Sequence, residues 1–436
     1  MLNTRTTLDK ALKYIYEPGM NFALINNTVA FSAFTKRKFP GVGKAYVFAT
    51  HLKRNEYVAA RKHDGYYAPT GTETPENGSV VPSYVHIGFE ITNDVIKASK
   101  GDKAAFKDGM KMAMDTSRDT LQTHLNRMFL GDGTGIICDV ATFGGGAGTQ
   151  TLTIKSTSTY STKMLRQGMP LDFWNANTRV NGGAGELPTD WAVVQSVLSD
   201  TTFSVAMYGG GSVPAIADGS YVITMGNAWV NSGTRACLEP NGLRLFADDG
   251  TLDPTSGLHG ISGTSYDAWQ AIIKNAQGAD AGPGLASAMA ISYMQKSPFK
   301  FNMIWVHPQQ QHGLIYGNDG SYKDKRFVNG SVTDIGDNME AVVINVAGRK
   351  IKVQADWFIN ETEMTFLDSA QMRYVELNGV ELEEQADGQY MTPWRDSTGA
   401  KPAQVGYWMF RGNWAIVARN AIARAYGLSK PSSMPW

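Results

Sequence analysis

Apolar and polar residues alternate strictly in Ser83–Thr92, SYVHIGFEIT. Val85, Ile87, Phe89 and Ile91 fall on one side and Tyr84, His86, Glu90 and Thr92 on the other, the period of a half-buried strand. Upstream, residues 44–62 form a second extended candidate, joined to the first by a turn-rich stretch carrying Gly65, Pro69, Gly71, Pro75 and Gly78. The pair predicts a long hairpin. A two-stranded ribbon alone is marginal in water, so its apolar face is expected to rest on a neighbouring copy of the chain. A helix is predicted directly afterwards, from Asp102 as N-cap to Leu130, with Gly131 as its stop. Phe106, Met110, Ala113, Met114, Leu121, Leu125 and Met128 give it one apolar stripe. At about 1.5 Å per residue it spans roughly 43 Å, long for a globular helix.

The texture changes after glycine-rich 131–148. TLTIKS, WAVVQSVL, TTFSVAMY and YVITM are short alternating runs divided by turn clusters, which predicts a small barrel or sandwich over 149–226, inserted into a host fold that resumes near Asn227. From Thr264 the pattern reads helical, first over 264–276 and then from Pro283, a residue suited to the first turn. A buried strand is expected at 301–306, a short helix at 308–316, and strands at 341–346, 350–354, 364–367 and 372–377. Residues 318–338 read as a polar loop.

The order of these pieces, with AAFKDGMKMAMDTSRDTLQTHLNRMFLGDGTG after the hairpin, FNMIWVHPQQQHGLIYG in the late half and GYWMFRGNWAIVARNAIARAYGL near the end, resembles the major capsid protein of tailed bacteriophages, of the Hong Kong phage type. The likeness lies in order and pattern and covers most of the chain outside about 149–226. It implies an α+β fold with an N-terminal arm (1–43), an extended hairpin loop (44–92), and a peripheral domain with a spine helix (93–148). The inserted β domain (149–226) comes next, then an axial domain with part of the peripheral domain (227–378) and a C-terminal return (379–436). The loop at 317–337 would face a symmetry axis. The resemblance implies self-assembly into pentamers and hexamers around double-stranded DNA, with portal and scaffolding proteins as partners and a decoration protein as a further one. It places the chain in the virion, assembled in the host cytoplasm, with no enzymatic role. The alternatives are an encapsulin-type shell and a β-rich phage structural or carbohydrate-binding protein.

Composition narrows the picture. Forty basic and forty acidic residues cancel, which excludes a dedicated nucleic-acid binder that grips phosphates with a basic face and leaves room for non-specific contact with enclosed DNA. The charge is unevenly placed. Residues 36–63 hold eight basic residues against Glu56, while 361–390 hold eight acids against Arg373. A basic hairpin lying on the acidic region of the next copy would set docking register. The candidate assembly residues are Lys53, Arg54, Arg61, Lys62, Val85, Ile87 and Phe89 on the hairpin, and Glu381, Glu383 and Glu384 on the acidic side. Cys138 and Cys237 are too few for a disulfide framework and read as buried thiols of a reducing compartment. No stretch reaches the length of a membrane span, and the first twenty residues lack a signal-peptide core.

Catalytic, cofactor and metal sites are not predicted. GISGT at 260–264 lacks the final glycine of a nucleophile elbow. The phosphate-cradling G-x-x-x-x-G-K-[ST] is absent. Gly131, Gly133 and Gly135 follow a helix and not a strand, the wrong context for a dinucleotide fingerprint, and read as turn glycines. His307 and His312 stand five apart, off the zinc-pair spacing, and read as helix-start and surface histidines. Asp248, Asp249 and Asp253 lack calcium-loop spacing and read as an acidic turn.

Overall fold

A computed structural model describes residues 36–38, 45–53, 58, 60–63, 66, 73–94, 103–155, 158, 162–181, 190–231, 234–254, 257–316, 342–346, 349–384, 388–396 and 399–429. The chain divides into two compact units, one of Met1–Ala45, Val81–Arg127 and Tyr374–Asn413, the other of Tyr46–Val80, Met128–Arg373 and Trp414–Trp436. Strand outweighs helix, so the class is mostly β and not an even α+β.

In the first unit the described strands run in the order Lys36–Lys38, Met372–Leu382, Gly399–Ile416, Thr392–Asp396. Ser83–Thr92 joins this sheet by pairing antiparallel with Gly399–Ile416, from Ser83 opposite Gly412 to Thr92 opposite Ala403. It does not pair with residues 44–62, and this corrects the predicted hairpin. The alternation is real: Phe89 and Ile91 are buried, Val85 and Ile87 half-buried, Tyr84 and His86 exposed. That face packs on Met114, Leu382, Met391 and Trp408 of the same chain. Period two identifies the buried face of a strand and says nothing about its partner. The predicted helix forms as Lys103–Leu130, with Asp102 and the side chains of Phe106 and Met110 outside the described residues. Trp408 donates its indole N–H to the Met114 carbonyl at 3.0 Å, and the Arg118 guanidinium lies 5.9 Å from the Trp408 ring centroid.

The second unit contains the actual hairpin, Tyr46–Lys53 with Thr74–Val80, in register from Tyr46 opposite Val80 to Lys53 opposite Thr74. A bulge separates His51 from Lys53, which bends the ribbon locally. Phe48, Leu52 and Val80 are buried, so the root of the hairpin rests on its own chain. Phe48 can lie across its strand partner because that partner is Gly78: a Cβ there would come within 2.4 Å of the ring. The same device recurs where Phe89 faces Gly406, with 2.5 Å to a Cβ.

The β texture expected from Thr149 forms, and the structure adds one strand ahead of it. Among the described residues the order is Ile136–Val140, Ser220–Thr224, Pro170–Asn175, Ala192–Val197, Thr202–Met207, Gln150–Thr153, with Thr178–Arg179 beside Pro170–Asn175. The two ends meet: Ala141 N–H donates to Thr153 O at 3.0 Å and Lys155 N–H to Asp139 O at 2.9 Å. The sheet is a closed barrel filled by Val140, Leu152, Leu171, Phe173, Val194, Phe203, Val205 and Val222, all buried. Closure leaves no open strand edge around the ring.

A second, mixed sheet runs Ile272–Asn275, Ile422–Tyr426, Glu363–Leu367, Met303–Val306, Arg349–Ala355, Val342–Val346. The helix Pro283–Lys296, with proline in its first turn, covers it through Ala286, Met289, Ala290 and Tyr293. The predicted helix over 264–276 is absent. A single turn at Asp267–Trp269 gives way to Ile272–Asn275, parallel to Ile422–Tyr426, because the adjacent β-branched Ile272 and Ile273 suit a strand better than a helix. The short helix Pro308–Tyr316 follows Met303–Val306 as expected. The 317–337 loop lies outside the described residues, as does the arm before Lys36.

This unit also buries charge. Asp253 binds Arg419 at 2.7 Å and Asp248 binds Arg424 at 3.4 Å. Arg424 reaches Glu363 at 3.6 Å, Glu363 reaches Arg244 at 3.2 Å, and Arg244 reaches Asp132 at 3.2 Å. Asp248 and Asp253 are therefore the acidic partners of buried arginines within the expected acidic turn, where Asp248 also accepts from Gly250 N–H at 3.0 Å and Leu252 N–H at 2.8 Å; of the three aspartates only Asp249 is exposed. Arg419 makes two further bonds, to Leu245 O at 3.0 Å and Phe246 O at 3.3 Å, so its guanidinium is neutralised and hydrogen-bonded, as burial demands.

Candidate assembly surface

The predicted interface residues separate into three groups. Lys53, Arg61 and Lys62 are exposed on the hairpin segment, and Arg54 lies outside the described residues. Val47 at 59%, Val58 at 90% and Tyr66 at 99% exposure accompany them. This combination of cations and uncovered apolar side chains suits a contact with another molecule better than with water. Phe89 is buried in the first unit's sheet, which corrects its assignment from assembly contact to core residue. Val85 and Ile87 share its face and are half-buried.

Glu381, Glu383 and Glu384 line one concavity of the first unit together with Leu382, Tyr390, Met409 and Arg411. Two of them sit on or just beyond the strand Met372–Leu382, and Glu383 N–H donates to Tyr407 O at 2.8 Å, which fixes the rim to the sheet. Arg411 donates to Glu383 at 3.0 Å and leaves the concavity predominantly acidic. Tyr390, 51% exposed, gives it an apolar wall. A surface of this kind takes cationic side chains with aliphatic stems.

The groups that could have done chemistry have other roles. Among the described residues no group of three or more His, Cys, Asp and Glu could hold a metal ion. His307 is buried and its Nδ1 accepts from Gln309 N–H at 3.3 Å, the helix-start role expected of it at Pro308–Tyr316; the side chain of His312 lies outside the described residues. Burial lowers the pKa of His307 to about 4, with the nearby Glu361 opposing and Lys163 assisting. Cys138 is buried and Cys237 half-buried, both as free thiols. Burial raises both pKa values, that of Cys237 to about 12, so neither is a ready nucleophile. Gly133 and Gly135 hold φ of 73° and 72°, the turn role predicted for them.

No protein-family model matches the chain, and no curated protein matches it. Among solved structures it is similar to a chain of the cyanophage A-1(L) capsid asymmetric unit, with 12% identity and a TM-score of 0.54, over 98% of this chain and 99% of that one. It is also similar to the capsid of a native GTA particle, with 9% identity, a TM-score of 0.46 and 98% and 99% covered. A third likeness is to the SrpI encapsulin complex from Synechococcus elongatus PCC 7942, with 8% identity, a TM-score of 0.43 and 100% and 99% covered. The first of these carries the assignment: the chain has a phage capsid-like fold.

Proposed function

We propose that this chain is a major capsid protein of a tailed phage, which self-associates into pentamers and hexamers that build an icosahedral shell around double-stranded DNA. The observation that supports the reading is the likeness to the cyanophage capsid chain, which covers 98% of this chain and 99% of that one. In this reading the helix Lys103–Leu130 is the spine of a peripheral domain and the sheet of the first unit its plate. The mixed sheet with Pro283–Lys296 is the axial domain, and the closed barrel is an insertion. The hairpin and the arm before residue 44 reach over neighbours. Portal and scaffolding proteins would be partners, and contact with DNA would be non-specific, in keeping with the neutral net charge.

Charge sets the register between copies. The exposed Lys53, Arg61 and Lys62 of one hairpin meet the concavity of Glu381, Glu383 and Glu384 on the next copy. Each exposed pair contributes little alone, and repetition around a closed ring makes the sum large. Electron microscopy of the purified chain at rising concentration tests the function. Closed shells or five- and six-membered rings support it, and a monomer that stays single at high concentration overturns it.

A further inference from the structure

His259 stands in the second unit, where the turn at 257–260, the hairpin and Ile416 meet. Its backbone is left-handed, φ 57°, between Gly257 at 79° and Gly260 at 83°, a conformation disfavoured for a residue with a Cβ. Its carbonyl accepts from Ser79 N–H of the hairpin at 2.9 Å. Its Nε2 accepts from Ile416 N–H at 3.2 Å, at the end of strand Gly399–Ile416. The ring is met edge-on by Phe48 of the hairpin at 5.7 Å, and lies 5.6 Å from Phe246 and 6.4 Å from Trp269. One residue therefore ties the root of the hairpin, through its carbonyl and its ring contact with Phe48, to Ile416, through its imidazole.

A nitrogen that accepts a hydrogen bond carries no proton. The aromatic rings around His259 supply no anion. The charged group that acts on it is Arg419, a cation already paired with Asp253 and, at 4.0 Å, with Asp248. On the hairpin, the Glu76 carboxylate accepts from the Tyr266 hydroxyl at 2.9 Å. A proton placed on His259 in this setting breaks the bond to Ile416 and puts two cations in one apolar site.

We propose that His259 is an acid-sensitive latch on the hairpin: the root stays docked while the imidazole is neutral, and proton uptake by His259 drives the hairpin off the body of its own unit. Burial first, and Arg419 second, lower the docked imidazole from the ordinary 6.5 to about 3. With Phe48 gone and Phe246, Trp269 and Arg419 still beside it, the undocked imidazole rises toward its ordinary value, so the undocked state binds more proton in the interval between. The docked state keeps its full advantage above pH 6.5 and loses it progressively as pH falls toward 3. Linkage of this kind shifts the equilibrium toward the undocked state by up to about 25-fold between pH 7 and pH 5.

The experiment is hydrogen exchange of the full chain from pH 7 to pH 5, corrected for the intrinsic pH dependence of exchange. Protection at Ser79 and Ile416 is expected to fall together, by up to about 25-fold, while the barrel amide of Lys155 holds. His259→Gln, neutral and still able to accept from Ile416, is expected to give a flat profile. Glu76→Gln is expected to keep the wild-type fall, which separates the latch from the Tyr266 contact. Unchanged protection at Ser79 in the wild type overturns the proposal, as does a His259→Gln chain that retains the fall. If that variant does not fold, the wild type decides: loss at Ser79 without loss at Ile416 overturns the latch. None of this needs a shell to form, so the latch and the capsid reading fail separately.

Discussion

Two phenylalanines lie over glycines across a strand pair, and the absence of a side chain makes each contact possible. Gly78→Val would drive Phe48 out of its seat beside His259 and Trp269, at the overpacking cost of about 1–3 kcal/mol. The expected result is faster proteolysis within the hairpin and a lower denaturation midpoint with the barrel intact, read by limited digestion and denaturant titration. Arg419 predicts a larger effect. Arg419→Met leaves Asp253 and Asp248 buried with one cation fewer, and removal of one partner from a buried pair costs about 3–5 kcal/mol. Double replacement of Arg419 and Asp253 by apolar residues should recover part of the loss in the same titration. Alternation in Ser83–Thr92 gave the buried Phe89 and Ile91 and the exposed Tyr84 and His86 directly, but not Glu90 and Thr92, which are half-buried like Val85 and Ile87. The ion pairs were not legible, because Asp248 and Asp253 stand far along the chain from Arg419 and Arg424 and no local pattern links them.

At the scale of elements, the long helix, the helix with proline in its first turn and the strand–helix step at Met303–Tyr316 were legible, each marked by its own period or cap. The strand at Ile272–Asn275 was not, because a short apolar run looks alike in both states until a neighbouring strand claims it. The barrel's first strand was hidden for a related reason. Ile136–Val140 sits within a glycine-rich stretch and cannot be joined to Ser220–Thr224 by any local signal. An isolated fragment beginning at residue 136 and ending at 231 should therefore fold on its own, with cooperative unfolding by circular dichroism. One that begins at Thr149 should aggregate, because without Ile136–Val140 the sheet keeps two open edges. Equal behaviour of the two fragments would show that closure is not what holds the barrel.

For the whole molecule, the charge pattern makes the testable statement. Reversal of Lys53, Arg61 and Lys62 to Glu should leave a folded chain that fails to assemble, and reversal of Glu381, Glu383 and Glu384 to Lys in the same chain should restore assembly. Raised salt should weaken wild-type assembly, since exposed ionic contacts are screened within about 10 Å at 0.1 M. Light scattering and electron microscopy read all three. Normal assembly of the first variant would remove charge from the account of docking.

The barrel has one further consequence. Its first strand runs antiparallel beside its last, Ile136 opposite Ile223, so the chain enters and departs through a single doorway. Any guest with adjacent ends could be spliced between those two positions at little cost in loop closure, the host giving up the Lys163–Glu361 ion pair and the contact of the Arg166 guanidinium with the Phe358 ring. The module is thus free to diverge, or to be traded for another, wherever those two contacts are kept or replaced.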